Sequence, residues 1–240
     1  MRRANRDPQD IHGGQVIPDT STTNEHAPGV SYFFAVRPDS RARVEIATVA
    51  ERLKKSQRFS GTPVGIDSLH LALCPAGRPR RLQQSLEAAL RSAAAEVQGV
   101  CFEMTLDTMM RFTARDGQFP FGLCADSGSS SEALRLRKAV AAAQLGVGLQ
   151  VSGVSSFMPH VTLQHGPMID AIEEAITPIH WQVREFVLMR SFFGQSMHEV
   201  IGCWPLKPPP EPEAIDLLDE LANMPELPEF RDYTNEGEPR

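Results

Sequence analysis

The chain of 240 residues is 41% hydrophobic, enough for a substantial core, and has no apolar run of the roughly 18 residues that cross a bilayer. Its formal net charge of −6 comes mostly from residues 207–240, which hold three basic and ten acidic residues. Residues 30–206 hold 18 basic and 16 acidic residues, so the acidic balance does not exclude an anionic ligand. The four widely spaced cysteines and the lack of a secretory apolar segment predict reduced thiols in a soluble, cytoplasmic protein.

The two ends of the chain differ in composition from its centre. Residues 1–29 are polar and lack any apolar period, which predicts a flexible leader. Residues 207–240 are acidic and rich in proline, which predicts a mostly disordered tail. Apolar residues in the tail also have helical spacing, so a short motif that folds on a protein partner stays open as an alternative: Ile215, Leu218 and Ala222. The ordered domain is therefore expected to span residues 30–206.

The first part of this domain is predicted to alternate strands and helices. Residues 30–36 form an apolar, aromatic run of strand length that ends at Arg37. A helix is expected after a cap at Asp39 or Ser40, because four apolar residues follow at helical spacing: Ile46, Val49, Ala50 and Leu53. The next predicted strand holds His70, and a second amphipathic helix then ends at Gly99.

Residues 100–112 and 119–125 predict a hairpin with a glycine-containing turn. The serine run at 129–131, followed by Glu132, predicts the start of a third helix, which ends at Gly146. Three more elements are expected after a loop and a strand that holds His160: a helical turn at 170–176 and strands at 181–191 and 199–206. A strand begins about forty residues before each of the two histidines, with one helix between, so the chain predicts a doubled strand, helix, histidine-strand unit.

The two histidine segments share one pattern of alternation. In a strand that follows Pro159, His160 and Thr162 point to one face, while Val161 and Leu163 point to the other. Residues 69–73 repeat this frame around His70, with an alanine where the second segment has its threonine. If the two copies pair about a pseudo-twofold axis, both imidazoles face one cleft.

Two imidazoles that face one cleft suit acid and base catalysis on a phosphate ester, because their pKa values lie near neutrality. The hydroxyl of Thr162 could donate to a non-bridging phosphate oxygen. Zinc needs three or four clustered ligands, and neither strand carries a carboxylate or a second histidine on that face, so we expect no metal. The residues alone leave a structural alternative, in which His70 and His160 are buried and bonded to the backbone.

The paired segments at 69–73 and 159–163 resemble the doubled H-x-T/S-x motif of the 2H phosphoesterase superfamily. The wider chain resembles the bacterial 2′-5′ RNA ligase or RNA 2′,3′-cyclic phosphodiesterase (LigT-like) branch of that superfamily, with support from segments at 32–36, 184–191 and 202–206. This resemblance covers roughly residues 30–206 and leaves both tails unexplained.

The resemblance implies an α+β fold with two pseudo-symmetric lobes, each an antiparallel sheet with helices on the outside, around a central cleft. It also implies a reaction without metal or cofactor that opens the 2′,3′-cyclic phosphate of RNA or a nucleotide to a 2′-phosphomonoester; some members also form 2′-5′ RNA bonds. By position, His70 and His160 are the catalytic pair and Thr162 binds phosphate. Two departures from the family pattern are Ala72, where a second hydroxyl is expected, and His198, near which an aromatic residue such as tyrosine is expected.

Other residues near the motifs are weaker candidates. Phe34 and Phe157 could stack on a terminal base, although phenylalanines in strands more often belong to the core. Six basic residues could guide an RNA backbone or could simply be solvated: Arg78, Arg80, Arg81, Arg135, Arg137 and Lys138. Two rival functions stay open: an RNA- or nucleotide-binding module that has lost turnover, suggested by Ala72, and an interaction protein that acts through its acidic tail.

Overall fold

The computed structural model describes residues 29–56, 63–79, 84–112, 119–154, 157–166, 173–192 and 197–210. The predicted leader up to residue 28 and the tail beyond residue 210, with its apolar motif, lie outside these ranges and stay predictions. Residues 208–210, the described start of a separate C-terminal unit, have no regular secondary structure. None of the described helices is long and apolar enough to span a membrane.

The described residues of the first unit form ten strands, three α-helices and one short 3-10 helix, Ile66–Ser68. The strands are β1 Val30–Val36, β2 Leu71–Pro75, β3 Arg78–Pro79, β4 Phe102–Arg111, β5 Phe119–Ala125, β6 Leu149–Gln150, β7 His160–Gly166, β8 Glu173–Val183, β9 Glu185–Phe192 and β10 Met197–Pro205. The helices are α1 Ser40–Lys55, α2 Leu86–Ala95 and α3 Ser127–Gly146. The predicted α+β class is therefore confirmed.

Eight strands form one antiparallel sheet in the order β10-β9-β1-β2-β7-β5-β4-β8, while β3 and β6 pair separately. Each half of the large sheet has four strands, and the halves join where Leu71 of β2 pairs with Val161 of β7. Outward from that joint, β1 and β5 come next on their respective sides. The doubled unit predicted from the sequence is thus β1-α1-β2 and β5-α3-β7, and the two predicted sheets are halves of a continuous one.

The helices pack against one face of the large sheet, and α1 and α3 link its two halves, while α2 packs on α3 and β10. Helix α1 contacts β7 and β8 of the second half, whereas α3 contacts β2 of the first half as well as β4 and β5. The core between the helices and the sheet includes aliphatic residues from both histidine strands, all less than 2% exposed: Leu71, Leu73, Val161 and Leu163. Burial of each such side chain contributes about 1.5–3 kcal/mol. The core therefore holds one face of β2 and β7 inward and leaves the other for polar residues.

Side-chain caps set the start of the helices. The carboxylate of Asp39 accepts a hydrogen bond from the Ala42 amide at 2.8 Å, so the predicted cap of α1 is confirmed. Helix α3 starts two residues earlier than predicted, because Asp126 is its cap and accepts from the Ser129 amide at 2.7 Å. The hydroxyls of Ser130 and Ser131 donate to backbone carbonyls and lie inside the first turns.

The C-terminal part of the domain departs most from the prediction. The expected helical turn at 170–176 is wrong for its described residues, because the segment from Glu173 belongs to the long strand β8. That segment pairs with Met110 and its neighbours on β4, and cross-strand pairing outweighs local helical spacing. The single strand predicted at 181–191 is two strands that divide at Arg184, and the expected loop at 148–156 contains β6.

Candidate active site

The two histidine strands lie side by side, as the pseudo-twofold argument predicts. Leu71 of β2 pairs with Val161 of β7, and both are buried, so antiparallel alternation places Ala72 opposite His160, on the face away from the helices. His70, predicted to lie inside this strand, is instead the residue just before β2. In the register of the Leu71–Val161 pair, it falls opposite Thr162. The two histidines are then diagonal neighbours, with backbones about 7–8 Å apart. The structure thus brings all three predicted site residues to one surface.

Both histidines are held by the same backbone tether. The Nδ1 of His70 lies 2.8 Å from the carbonyl oxygen of Ser68, and the Nδ1 of His160 lies 2.9 Å from that of Met158. In each case the carbonyl belongs to the residue two positions earlier. A carbonyl oxygen only accepts, so each Nδ1 carries the hydrogen, and in the neutral ring Nε2 is the acceptor. The tethers therefore leave the same nitrogen of both rings for a ligand.

The electrostatic surroundings keep His70 neutral in the ligand-free protein. Burial is the main cause that lowers the pKa of His70 from 6.5 to about 4, and the hydrogen bond to Ser68 opposes this shift. The charges of His198, His160 and Arg37 lower the pKa further. At neutral pH the His70 ring is therefore neutral, and an anionic ligand that raises its pKa would favour the protonated form.

Aromatic rings flank the two histidines differently. The ring centroid of Phe33 lies 5.1 Å from that of His70, and His198 packs at nearly a right angle against His70 at 5.0 Å. Phe112 lies over His160 at 4.2 Å. His198, which the sequence marked only as a departure from the family pattern, is thus a third imidazole beside the site.

The two phenylalanines predicted to stack on a base differ in their exposure to solvent. Phe34 is fully buried and packs against Phe186, so the expectation that it stacks on a base is wrong. Its side chain points to the core face, as the alternative reading of strand phenylalanines predicted. Phe157 is partly exposed, and the Arg137 guanidinium lies 4.7 Å from its ring centroid.

Arg137 is a buried structural residue, so its predicted role in guiding RNA is wrong. Its guanidinium donates to the carbonyl of Leu73 on β2, and to the carbonyls of Gly153 and Val154 in the segment that leads into β7. Together with its contact to Phe157, these bonds tie both histidine strands to α3. Of the other basic candidates, Arg78, Arg135 and Lys138 are exposed, and Arg80 and Arg81 lie outside the described residues.

Two further residues near the site escaped the sequence analysis. Arg37 was read only as the end of β1, yet its charge reaches His70, and its Nη2 donates to the Asp67 carbonyl at 2.9 Å. Gly122 of β5 pairs with Thr162, and a Cβ there would lie 2.7 Å from the Val161 carbonyl oxygen and 3.4 Å from His160 Cδ2. A larger residue at 122 would therefore push against the second histidine strand. An arginine that follows a strand, such as Arg37, or a glycine within a strand, such as Gly122, is too common in sequences to indicate an active site.

A pocket of about 350 Å³ adjoins His160 on the second half of the sheet. Its wall includes Pro159, which precedes His160, and Cys124, which pairs with His160 across β5 and β7. The other lining residues are Thr108, Met110, Ala125, Ser130, Phe157, Met158 and Glu173. Among the residues that the structure describes, no group of three histidine, cysteine or acidic side chains is placed to hold a metal ion.

Comparisons with solved structures agree with the overall fold. The structure of apo LigT from Escherichia coli aligns with a TM-score of 0.56 at 22% identity, over 75% of this chain and 99% of LigT. LigT complexed with 3′-AMP aligns with a TM-score of 0.57 at 22% identity, over 74% and 98% of the two chains. A protein of Thermus thermophilus, TT0787, gives 0.54 at 22% identity, over 75% and 99%. These likenesses show the fold.

A search of curated protein sequences found no match. Residues 38–191, more than half of the chain, match the profile of the 2′-5′ RNA ligase superfamily. This segment contains both histidine strands and the helices that support them. The match confirms the resemblance drawn from the two motifs: the chain belongs to the 2′-5′ RNA ligase superfamily, with the LigT-like fold of the 2H phosphoesterases.

Proposed function

We propose that this protein is a metal-independent phosphodiesterase that opens the 2′,3′-cyclic phosphate of RNA or a nucleotide to a 2′-phosphomonoester. The observation that carries the proposal is the matched tethering of His70 and His160, each through Nδ1 to the carbonyl two residues earlier. The structural alternative also predicts backbone bonds, but it predicts buried rings, and both histidines are only half-buried. Two imidazoles that present the same nitrogen to one ligand suit a reaction with one proton removed and one supplied.

In the proposed reaction, the oxygen of a water molecule attacks phosphorus and the bond from phosphorus to O3′ breaks. One imidazole, neutral at the start, accepts the proton of the water; the other, protonated, gives a proton to O3′. The phosphate stays on O2′. If the 5′-hydroxyl of another RNA replaces the water, the same proton transfers form a 2′-5′ bond.

Thr162 supplies the hydrogen-bond donor for the growing negative charge. In the register of the Leu71–Val161 pair, Thr162 falls opposite His70 and on the same face as His160, where its hydroxyl can donate to a phosphate oxygen. On the other strand the equivalent place opposite His160 is Ala72, which is exposed and offers no donor. Arg37, whose charge reaches His70, adds positive potential for an anionic substrate.

The test is hydrolysis of adenosine 2′,3′-cyclic phosphate in EDTA, with 2′-AMP as the expected product. We expect His70→Ala and His160→Ala each to lower kcat by roughly 10²- to 10⁴-fold, the usual contribution of a general acid or base. His180→Ala is the matched control, because His180 is an exposed histidine on β8 that hydrogen-bonds Thr105. Loss of activity in EDTA, or full activity in both variants, would overturn the proposal.

A second candidate function is a nucleotide-binding module with little or no turnover. Ala72 favours it, since loss of one charge-stabilising donor costs on the order of a hundredfold in rate. Binding of the cyclic nucleotide without product, in the wild type and in His160→Ala alike, would support this candidate. A protein partner of the acidic tail stays a separate proposal, which a pull-down lost on truncation after Leu206 would test.

A further inference from the structure

The pocket beside His160 is lined mainly by strand residues on the face of the sheet that carries His160, together with Ser130 of α3. Cys124 pairs with His160, Thr108 pairs with Cys124, and Met110 pairs with Glu173. Residues paired across antiparallel strands point to the same face. The strand residues of the pocket therefore continue the candidate active-site surface, from β7 across β5 and β4 to β8.

The length of this extension suits a nucleoside. From β7, which carries His160, to β8, which carries Glu173, there are three strand spacings, or about 14 Å. A nucleotide with its phosphorus between the two histidines can cover this distance with its ribose and base, once the reach of the glutamate side chain is included. The pocket volume of about 350 Å³ also leaves room for one base.

The walls of the pocket carry apolar and aromatic side chains that suit a flat ring. Met110, Phe157 and Pro159 provide apolar surface, and Met158 keeps 52% of its surface exposed beside the catalytic strand. A large apolar side chain at that place has no structural use for its exposure, whereas aromatic and apolar side chains commonly stack on bases. The Arg137 guanidinium contacts the Phe157 ring, 4.7 Å from its centroid.

The charge at the far end of the pocket excludes a second phosphate. Glu173 is exposed there, and Asp107 is close by, held by a 2.9 Å hydrogen bond from the Thr108 hydroxyl. The pKa of the Cys124 thiol is raised to about 11, mainly by burial and in addition by the negative charges of Glu173 and Asp107. Both carboxylates are therefore close to Cys124. Like charge repels an RNA backbone, so the group that fits here is neutral and carries hydrogen-bond donors.

We infer that this pocket binds the base of the substrate nucleotide and selects guanine, with the Glu173 carboxylate as acceptor for N1–H and N2–H. A carboxylate has two acceptor oxygens, and guanine is the base with two adjacent donors on its Watson–Crick edge. Adenine and cytosine place an acceptor next to their donor, and uracil has one donor between two carbonyls. This inference rests on the proposed function, because the phosphate position between the histidines sets where the base lies.

The test compares guanosine and uridine 2′,3′-cyclic phosphates as substrates for the wild type, Glu173→Gln and Glu174→Gln. Glu174 is the matched control, since it is the next residue of β8 and points to the opposite face. We expect the wild type to prefer the guanosine substrate in kcat/KM, and Glu173→Gln to lower that preference roughly 10- to 100-fold, the worth of a bidentate contact to a base. Glu174→Gln should keep it.

Equal kcat/KM for the two substrates in the wild type, or an unchanged preference in Glu173→Gln, overturns the inference. If neither cyclic nucleotide is hydrolysed, the proposed function fails, and the pocket is then judged by calorimetric binding of 2′-GMP and 2′-UMP. Tighter binding of 2′-GMP that is lost in Glu173→Gln supports the guanine site. Equal binding of the two products, or no binding of either, overturns it.

Discussion

The two halves of the sheet have the same backbone plan but different side chains around their histidines. In both halves an imidazole is tied to the carbonyl two residues earlier and is flanked by a phenylalanine. The half with His70 adds His198 and has Ala72 on its cleft face, whereas the half with His160 has Thr162 and the adjoining pocket. The shared backbone thus positions two equivalent imidazoles, and the local side chains make them chemically unequal.

The largest expected effect concerns the residue that joins the halves. Replacing Arg137 with methionine leaves three carbonyls on the two histidine segments without their donor, at a cost of about 3 kcal/mol in the free energy of unfolding. Urea denaturation measures this loss. Arg135→Met on the same helix is the control, because Arg135 is exposed and contacts only Glu132 among the described ion pairs, so its effect should stay within about 0.5 kcal/mol. Equal losses in both variants would contradict the joining role.

The half-buried His70 should make the protein less stable in acid. Its pKa is about 4 in the folded state and 6.5 in the unfolded chain, so between these pH values the unfolded chain binds a proton that the folded protein does not. Stability should therefore fall as the pH falls from 6.5 to 4, by about 3 kcal/mol in total. His70→Asn removes the titration while its amide can still donate to Ser68. Urea midpoints across this pH range should fall less in the variant; the same decline in both proteins would contradict the assignment.

Adding the missing hydroxyl should make the two halves more alike. Ala72 is exposed on the cleft face opposite His160, so Ala72→Thr can supply a second donor to the phosphate and raise kcat, by less than about a hundredfold. The control is Ala72→Val, which has nearly the same shape without the hydroxyl. A faster rate in the threonine variant alone would assign the gain to hydrogen bonding. Equal rates in both variants would show that position 72 does not contact the phosphate.

The smallest expected effect tests the third imidazole. His198→Phe keeps a ring against His70 but removes a charge that lowers the pKa of His70, so that pKa should rise slightly. Burial is the larger cause and stays, which limits the rise. An NMR titration of the His70 ring measures it. His180→Phe, remote on β8, should leave the pKa of His70 unchanged; no rise in His198→Phe would mean that the two rings are not coupled.

The parts of the site that the sequence could predict are those set by neighbours along the chain. Period-2 alternation placed His160 and Thr162 on one face, and the same alternation placed His70. The cap at Asp39 was also readable, since a capping carboxylate and its amide are three residues apart. Phe34 was misplaced as a candidate because alternation alone does not say which of two faces a strand buries.

Contacts between distant segments could not be predicted. His198 contacts His70 although the two residues are far apart in the chain and β10 lies three strands from β2 in the sheet, so no pattern along the chain indicates this contact. Arg137 hydrogen-bonds the carbonyl of Leu73, 64 positions away in the chain. In the sequence, Arg137 cannot be told apart from the exposed basic residues beside it. The helical pattern at the start of β8 was overruled by pairing with β4, which is a long-range contact.

By itself, the sequence determined the class of fold, the doubled unit and the two imidazoles with one hydroxyl, because each depends on periodicity or on residues close together in the chain. Only the tertiary structure decided which nitrogen of each ring is presented, how far His70 is buried, what surrounds each ring and where the adjoining pocket ends. These properties arise from strand order and burial, which no local pattern encodes. The shifted pKa of His70 and the pocket beside His160 exist only in the folded protein, because both depend on residues that are distant in the chain.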